Sequence, residues 1–298
     1  MRQARTNLDT ALTATAGLID TALRQRFADL AAPPPLGEAM SHAILAGGKR
    51  LRPFLLIECA GLFGVEPEKA LPAALALECL HTYSLVHDDL PAMDDDDLRR
   101  GQPTVHKVYD DATAILAGDA LLTMAFQILS DPETHEDGEV RADLVSGLAH
   151  AAGACGMVGG QMLDVAFENQ TPEPEAIAAM QAMKTGALFQ FACWAGGTLA
   201  RAEDADVLRL ETFAEAFGRA FQITDDLLDK EGNADAMGKS AGKDAARSKA
   251  TLVDVHGTEA ARTEAGRLIT HAETALKPFG DRASNLVALA WHLLERQQ

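Results

Sequence analysis

The chain is short of aromatic residues, of cysteine and of positive charge. Phe, Trp and Tyr together make up 5% of its 298 residues. No alternating run of Val, Ile and Thr stands between Asn-Gly or Asp-Gly turns, so nothing calls for a β-sandwich or barrel. The four cysteines, Cys59, Cys79, Cys155 and Cys193, lie far apart without a CxxC pair. This excludes a zinc ribbon or a small disulfide framework; they read as buried thiols of a reducing compartment, which points to the cytoplasm. Lys and Arg number 26 against 44 Asp and Glu, a formal net charge of −18. Non-specific nucleic-acid binders and binders of anionic membranes need a basic surface, and the balance here excludes both.

Membrane signals are also scarce. Asp9 and several threonines interrupt the stretch after Arg2 and Arg5, so no signal peptide is expected. Residues 144–163 hold no Asp, Glu, Lys or Arg, but five glycines and His150 make them poorly hydrophobic. They read as buried helices packed closely at Gly156 and Gly160, and no membrane span is expected.

What is present is helical. Alanine and leucine dominate, and helices are expected near 7–30, 54–63, 66–89, 112–129, 140–153, 174–199, 204–229, 258–276 and 282–296. In 207–228, Leu208, Leu210, Phe213, Ala214, Phe217, Phe221 and Leu228 recur at helical steps as an apolar stripe. Pro33–Pro35, 130–139, 168–175 and 231–249 carry the loop residues. None resembles an inter-domain linker, so the expectation is one all-α domain over 1–298. The loop 231–249 is long and basic, which is common in functional loops.

Two acidic clusters close apolar helical segments. Asp88-Asp89-Leu-Pro-Ala-Met-Asp94-Asp95-Asp96-Asp97 places six carboxylates in ten residues, with Pro91 ending the helix after Asp88. In Asp225-Asp226-Leu-Leu-Asp229, Asp225 and Asp229 stand four apart on one helical face. Like charges at that spacing repel, and two such groups call for a cation. Hard oxygen donors without His or Cys select Mg²⁺ or Ca²⁺, and Mg²⁺ is favoured because waters and substrate phosphates complete its shell. Basic residues are grouped to match: Lys49 and Arg52 in GGKRLRP (47–53), Arg99-Arg100-Gly101 after the first cluster, and Lys184, Lys239 and Lys249 about the second. Neither Gly238-Lys239-Ser240 nor Gly48-Lys49 has the spacing or the preceding strand of a nucleotide-binding loop. Hydrolase motifs and an EF-hand loop are absent too.

In combination, GGKRLRP, DDLPAMD at 88–94, GGQMLD at 159–164, Lys184-Thr185-Gly186 and FQITDDLLD at 221–229 closely resemble the trans-isoprenyl diphosphate synthases, most nearly the bacterial farnesyl diphosphate synthases. The resemblance implies a bundle of mostly antiparallel helices around a deep central cavity, with the aspartate-rich helix ends facing across its mouth. It implies that Lys49, Arg52 and His81, helped by Arg100, hold isopentenyl diphosphate. Asp88, Asp94 and Asp225 would hold Mg²⁺ bridging an allylic diphosphate, supported by Asp89, Asp226 and Asp229. Arg99, Lys184, Lys239 and Lys249 would neutralise that diphosphate, and Thr185 and Gln222 would face the carbocation. Tyr83, five residues before Asp88, would stop chain growth at the farnesyl stage, and a homodimer is implied. A geranylgeranyl or geranyl synthase is the nearest alternative. A non-catalytic subunit or an acidic Ca²⁺-binding helical protein would be expected to lack one cluster or the basic group. A terpene cyclase needs no second diphosphate site.

Overall fold

Proline and polar punctuation sets the helix limits. The computed structural model of the protein describes residues 2–168, 170, 172–230, 253 and 257–295. α1 (Arg2–Ala28) is followed by Pro33–Pro35, and α2 (Leu36–Ile44) starts directly after them with Pro35 at its N-cap. The sequence reading has no helix here, because nine residues are too few for a period to show. α3 (Leu51–Gly61) and α4 (Pro67–Asp88) follow. Pro67 opens α4 where its missing N–H costs nothing, and α4 ends at Asp88 ahead of Pro91 as expected.

A two-residue ladder, unforeseen in the sequence, comes next: β1 (Leu98–Arg99) pairs antiparallel with β2 (Gln102–Pro103). Its turn residues Arg100 and Gly101 both have positive φ, 55° and 77°, the geometry that suits a tight hairpin. The chain continues through α5 (Val105–Val108), α6 (Asp111–Ser130), α7 (Gly138–Ala152) and α8 (Met157–Phe167). The uncharged stretch 144–163 is thus broken between α7 and α8. α6 is long and apolar enough to cross a membrane, yet 44% of its most apolar window is buried, and it packs along α4 as a core helix.

The helix expected over 174–199 is α9 (Pro174–Gln181), a π turn (Ala182–Gly186) and α10 (Ala187–Leu199). α11 (Asp204–Lys230), α12 (Thr258–Leu276), a 3₁₀ segment (Lys277–Ala283) and α13 (Ser284–Glu295) complete the described chain. α4 is the central helix: α3, α6, α10, α1 and α2 all pack on it, and its buried residues cover every side. The scarce aromatics are concentrated. Phe189, Phe213 and Phe217 are fully buried, and Phe189 meets Phe217 and Phe221 edge-on at 5.3 and 5.1 Å. Two expectations need correction. Cys155 is exposed at the α7–α8 turn, unlike the other three thiols. Leu208, counted in the apolar stripe of α11, is 62% exposed because it stands about 200° round the helix from Leu210, which is fully buried.

Candidate active site

After α4 stops, the chain folds back on the helix end. The Asp94 N–H donates to the Asp88 carbonyl at 2.7 Å and the Asp96 N–H to that of Asp89 at 3.2 Å. This return brings Asp94 to Asp88, although six residues is not a helical spacing. Burial, with Asp94 and Asp89 beside it, pushes the Asp88 carboxyl up to about 6, against the opposing pull of Lys184 and Arg99. Asp89 is buried and held by Arg99, whose Nε donates at 2.9 Å, and Arg99 also reaches Asp96 at 3.0 Å.

The basic motif supplies a separate group at the start of α3. Its glycine turn explains itself: Gly48 has φ +132°, and a Cβ there would lie 2.6 Å from the Arg100 guanidinium carbon. Arg100 crosses that glycine to donate to the Gly47 carbonyl, which joins the GGKRLRP turn to the β1–β2 hairpin. α3 begins at Leu51, so Lys49 lies ahead of the helix and is exposed, whereas Arg52 is inside its first turn. Arg50, which carries no assignment in the sequence reading, is buried and structural, donating to Glu78, to Asp20 at 3.0 Å and to the Ile44 carbonyl at 2.8 Å.

Arg52 lies with its guanidinium 4.5 Å above the Phe189 ring, and its Nε is buried with no hydrogen-bond partner among the described residues. Burial and the Arg100 charge lower its pKa to about 10, with Glu78 opposing. An unanswered buried N–H beside several positive charges is what an arriving anion would satisfy. Arg52 Nη1 is 3.4 Å from His81 Nε2. Burial and the surrounding arginines hold His81 well below its usual pKa, so the ring is neutral; since Arg only donates, Nε2 accepts and Nδ1 carries the proton. His87 is fixed elsewhere, its Nε2 donating to the Ile115 carbonyl at 2.9 Å, a structural role.

The π turn carries Lys184 and Thr185. Gly160 of the GGQMLD motif lets α8 approach it: a Cβ on Gly160 would stand 2.2 Å from the Lys184 nitrogen. Lys184 Nζ donates to Asp164 at 2.6 Å, and Lys184 is also the strongest favourable charge on Asp88. At the end of α11, Asp225 is half-buried, Asp226 buried and Asp229 exposed. Burial, with Asp225 and Asp229 alongside, pushes the Asp226 carboxyl up to about 7, although amide N–H groups of Gln222 and Gln181 bond it at 2.8 and 3.0 Å. Gln222 therefore gives its N–H to Asp226 and keeps its amide oxygen for other use.

The structure thus brings Asp88, Asp94, Arg99 and Lys184 together, and groups Arg52, His81 and Arg100 about Glu78. Lys239 and Lys249 lie outside the described residues. Glu78 and Gln181 were not singled out in the sequence, and Asp164 appeared only as the end of GGQMLD with no role attached, although a carboxylate in the middle of the helix before Asp88 was a signal for Glu78. Among the described residues no three His, Cys, Asp or Glu side chains form a ready-made metal cage. The carboxylates nonetheless fit a hard divalent cation, being all-oxygen donors of which one or two would go to each ion. The buried Asp88 carboxyl, pushed up to about 6, is one that a cation would bring back to its charged form.

A helical bundle that ends two helices in aspartates, with guanidinium and lysine groups set beside them, is built to handle phosphorylated ligands. The chain belongs to the polyprenyl synthetase family, whose model matches residues 33–279. It is 44% identical over 269 residues to the farnesyl diphosphate synthase of Escherichia coli K12, covering 89% of this chain and 90% of that one. It is 41% identical over 274 residues to the farnesyl diphosphate synthase of Geobacillus stearothermophilus, covering 92% and 91%. The apo crystal structure of an FPP/GFPP synthase from Zymomonas mobilis superposes with a TM-score of 0.87 at 42% identity, over 97% of this chain and 99% of that one.

Proposed function

We infer that the protein is a Mg²⁺-dependent trans-prenyltransferase that condenses isopentenyl diphosphate with dimethylallyl or geranyl diphosphate to give farnesyl diphosphate. The observation that carries this reading is the provision for two anions. Arg52 has a buried, unanswered N–H in one basic group, while Lys184 and Arg99 stand separately among the carboxylates. Lys49, Arg52, His81 and Arg100 would bind isopentenyl diphosphate, with the proton on His81 Nδ1 as one donor. Arg99 and Lys184, with Lys239 and Lys249, would bind the allylic diphosphate.

Asp88, Asp94 and Asp225 would hold Mg²⁺, whose charge stabilises a departing diphosphate. The remaining work falls to side chains that place and polarise. The allylic C–O bond breaks with its electron pair passing to the diphosphate oxygen, and Lys184 and Arg99 stabilise that charge. The carbocation left behind is met by the double bond of isopentenyl diphosphate, held alongside by Arg52 and its neighbours, and the new C–C bond forms. The surplus proton goes to the released diphosphate. Thr185 and the free amide oxygen of Gln222 would direct their negative ends toward the cation. The farnesyl limit is supported by Tyr83, which is 6% exposed and packed edge-on at 5.6 Å against the anchored His87 ring, a stiff obstacle one turn below Asp88. A cytoplasmic homodimer completes the reading.

Purified protein given isopentenyl and geranyl diphosphates with Mg²⁺ should release farnesyl diphosphate as its main product, and EDTA should abolish turnover. Geranylgeranyl diphosphate as the main product would replace the farnesyl assignment. Failure to condense any allylic primer would overturn the class.

A further inference from the structure

The second aspartate group has a support that none of the motifs marks. Asp226 is 7% exposed, and each of its carboxylate oxygens accepts an amide N–H: Oδ1 from Gln222 at 2.8 Å and Oδ2 from Gln181 at 3.0 Å. Gln222 lies one turn earlier on α11 and moves with it. Gln181 is the last residue of α9, directly before the π turn that carries Lys184 and Thr185. Its bond to Asp226 spans 45 residues of sequence and ties the end of α11 to the lysine-bearing turn.

We propose that Gln181 is a positioning residue for prenyl transfer: it holds Asp226, and through it the Asp225 end of α11, in register with Lys184. The inference rests on the activity assigned above. Glutamine suits the task because a neutral amide donor orients a carboxylate without cancelling its charge. A lysine or arginine at the same place would form an ion pair and compete with a divalent cation for the same oxygens. There is room to vary the residue. A cavity of about 540 Å³ borders Gln181, Gln222, Gly186 and Gly218, so a different side chain at 181 need not overpack the interior.

Gln181→Met keeps the length and loses the donor; Gln181→His restores an N–H. Two readouts are taken: the Mg²⁺ concentration for half-maximal prenyl transfer, and the rise in melting temperature on adding Mg²⁺ with inorganic diphosphate, where no turnover occurs. Gln181→Met is expected to raise the half-maximal Mg²⁺ concentration roughly tenfold and to lose most of the thermal rise. KM for isopentenyl diphosphate should stay within about twofold, because the bond lost is the one to Asp226 and not one to the group about Arg52. Gln181→His should return both readouts toward wild type. Wild-type Mg²⁺ response in Gln181→Met would overturn the proposal, and so would a parallel loss of metal-free melting temperature and isopentenyl diphosphate KM, which marks a merely structural role. Active wild type with an indifferent Gln181→Met sinks only this inference, whereas a wild type that never condenses prenyl groups sinks the parent reading as well.

Discussion

Glu78 is 1% exposed, inside the central helix of the protein, and it answers the charge of Arg50 directly and of Arg100 at 3.9 Å. Removing one partner of a buried ion pair leaves the other uncompensated. Glu78→Gln is therefore expected to cost about 3–5 kcal/mol, read from the urea midpoint at unchanged slope. A loss below about 1 kcal/mol would mean that solvent or the remaining aspartates already balance these arginines. Tyr83→Ala acts on the product instead. Opening the space below Asp88 should add five-carbon units to the main product, checked by chain-length analysis, and an unaltered product would remove Tyr83 as the stop. At this scale the acidic clusters and the grouped basic residues were legible as patterns, because charges of one sign gathered beside apolar runs are conspicuous. Glu78, Asp164 and Gln181 were not, since their partners lie 28, 20 and 45 residues away and are chosen by how helices cross.

Among the elements, the π turn at Ala182–Gly186 has the most to do with position, because α8 presses on it at Gly160 and α11 at Gly218, where a Cβ would meet the Gly186 Cα at 3.4 Å. Gly160→Ala must push the Lys184 backbone away, since 2.2 Å admits no methyl group. A displacement of that order should lower kcat by roughly 10²-fold, with the helical circular dichroism kept. Gly266→Ala in α12 is the contrasting case, with nothing within 4 Å of the added carbon. It should stabilise the protein by about 0.5–1 kcal/mol through helix propensity, measured by chemical unfolding. Long helices were readable from their periodicity, and helix ends from Pro91 and Pro174. The π turn, α2 and the β1–β2 hairpin were not, because each is set by contacts such as Arg100 over Gly48 and has too few residues to show a period.

Over the whole molecule, a net charge of −18 surrounds an interior group of arginines, and this opposition shapes how stability depends on pH. His81 is the sensitive member. Burial first, then Arg52, Arg100, Arg50 and Arg99, hold its folded pKa well below 6.5, so the native ring stays neutral where the unfolded ring takes up a proton. At this position the unfolded state thus binds more protons, and the stability this group contributes must fall as pH drops below about 6.5, by up to about 1.4 kcal/mol per pH unit. Above that pH both states are neutral at this position and the contribution is flat. Asp226 and Asp88, raised to about 7 and about 6 in the folded protein, act with the opposite sign below those values, so the His81 share is read as a difference. In urea unfolding of the metal-free protein from about pH 7.5 to 5.0, His81→Asn should gain stability relative to wild type as pH falls below about 6.5, because asparagine offers hydrogen bonds without titrating. An identical pH dependence in His81→Asn would show that the folded ring takes up its proton over the same pH range as the unfolded one. The anion site would then present an additional positive charge to its ligand where a neutral donor is expected.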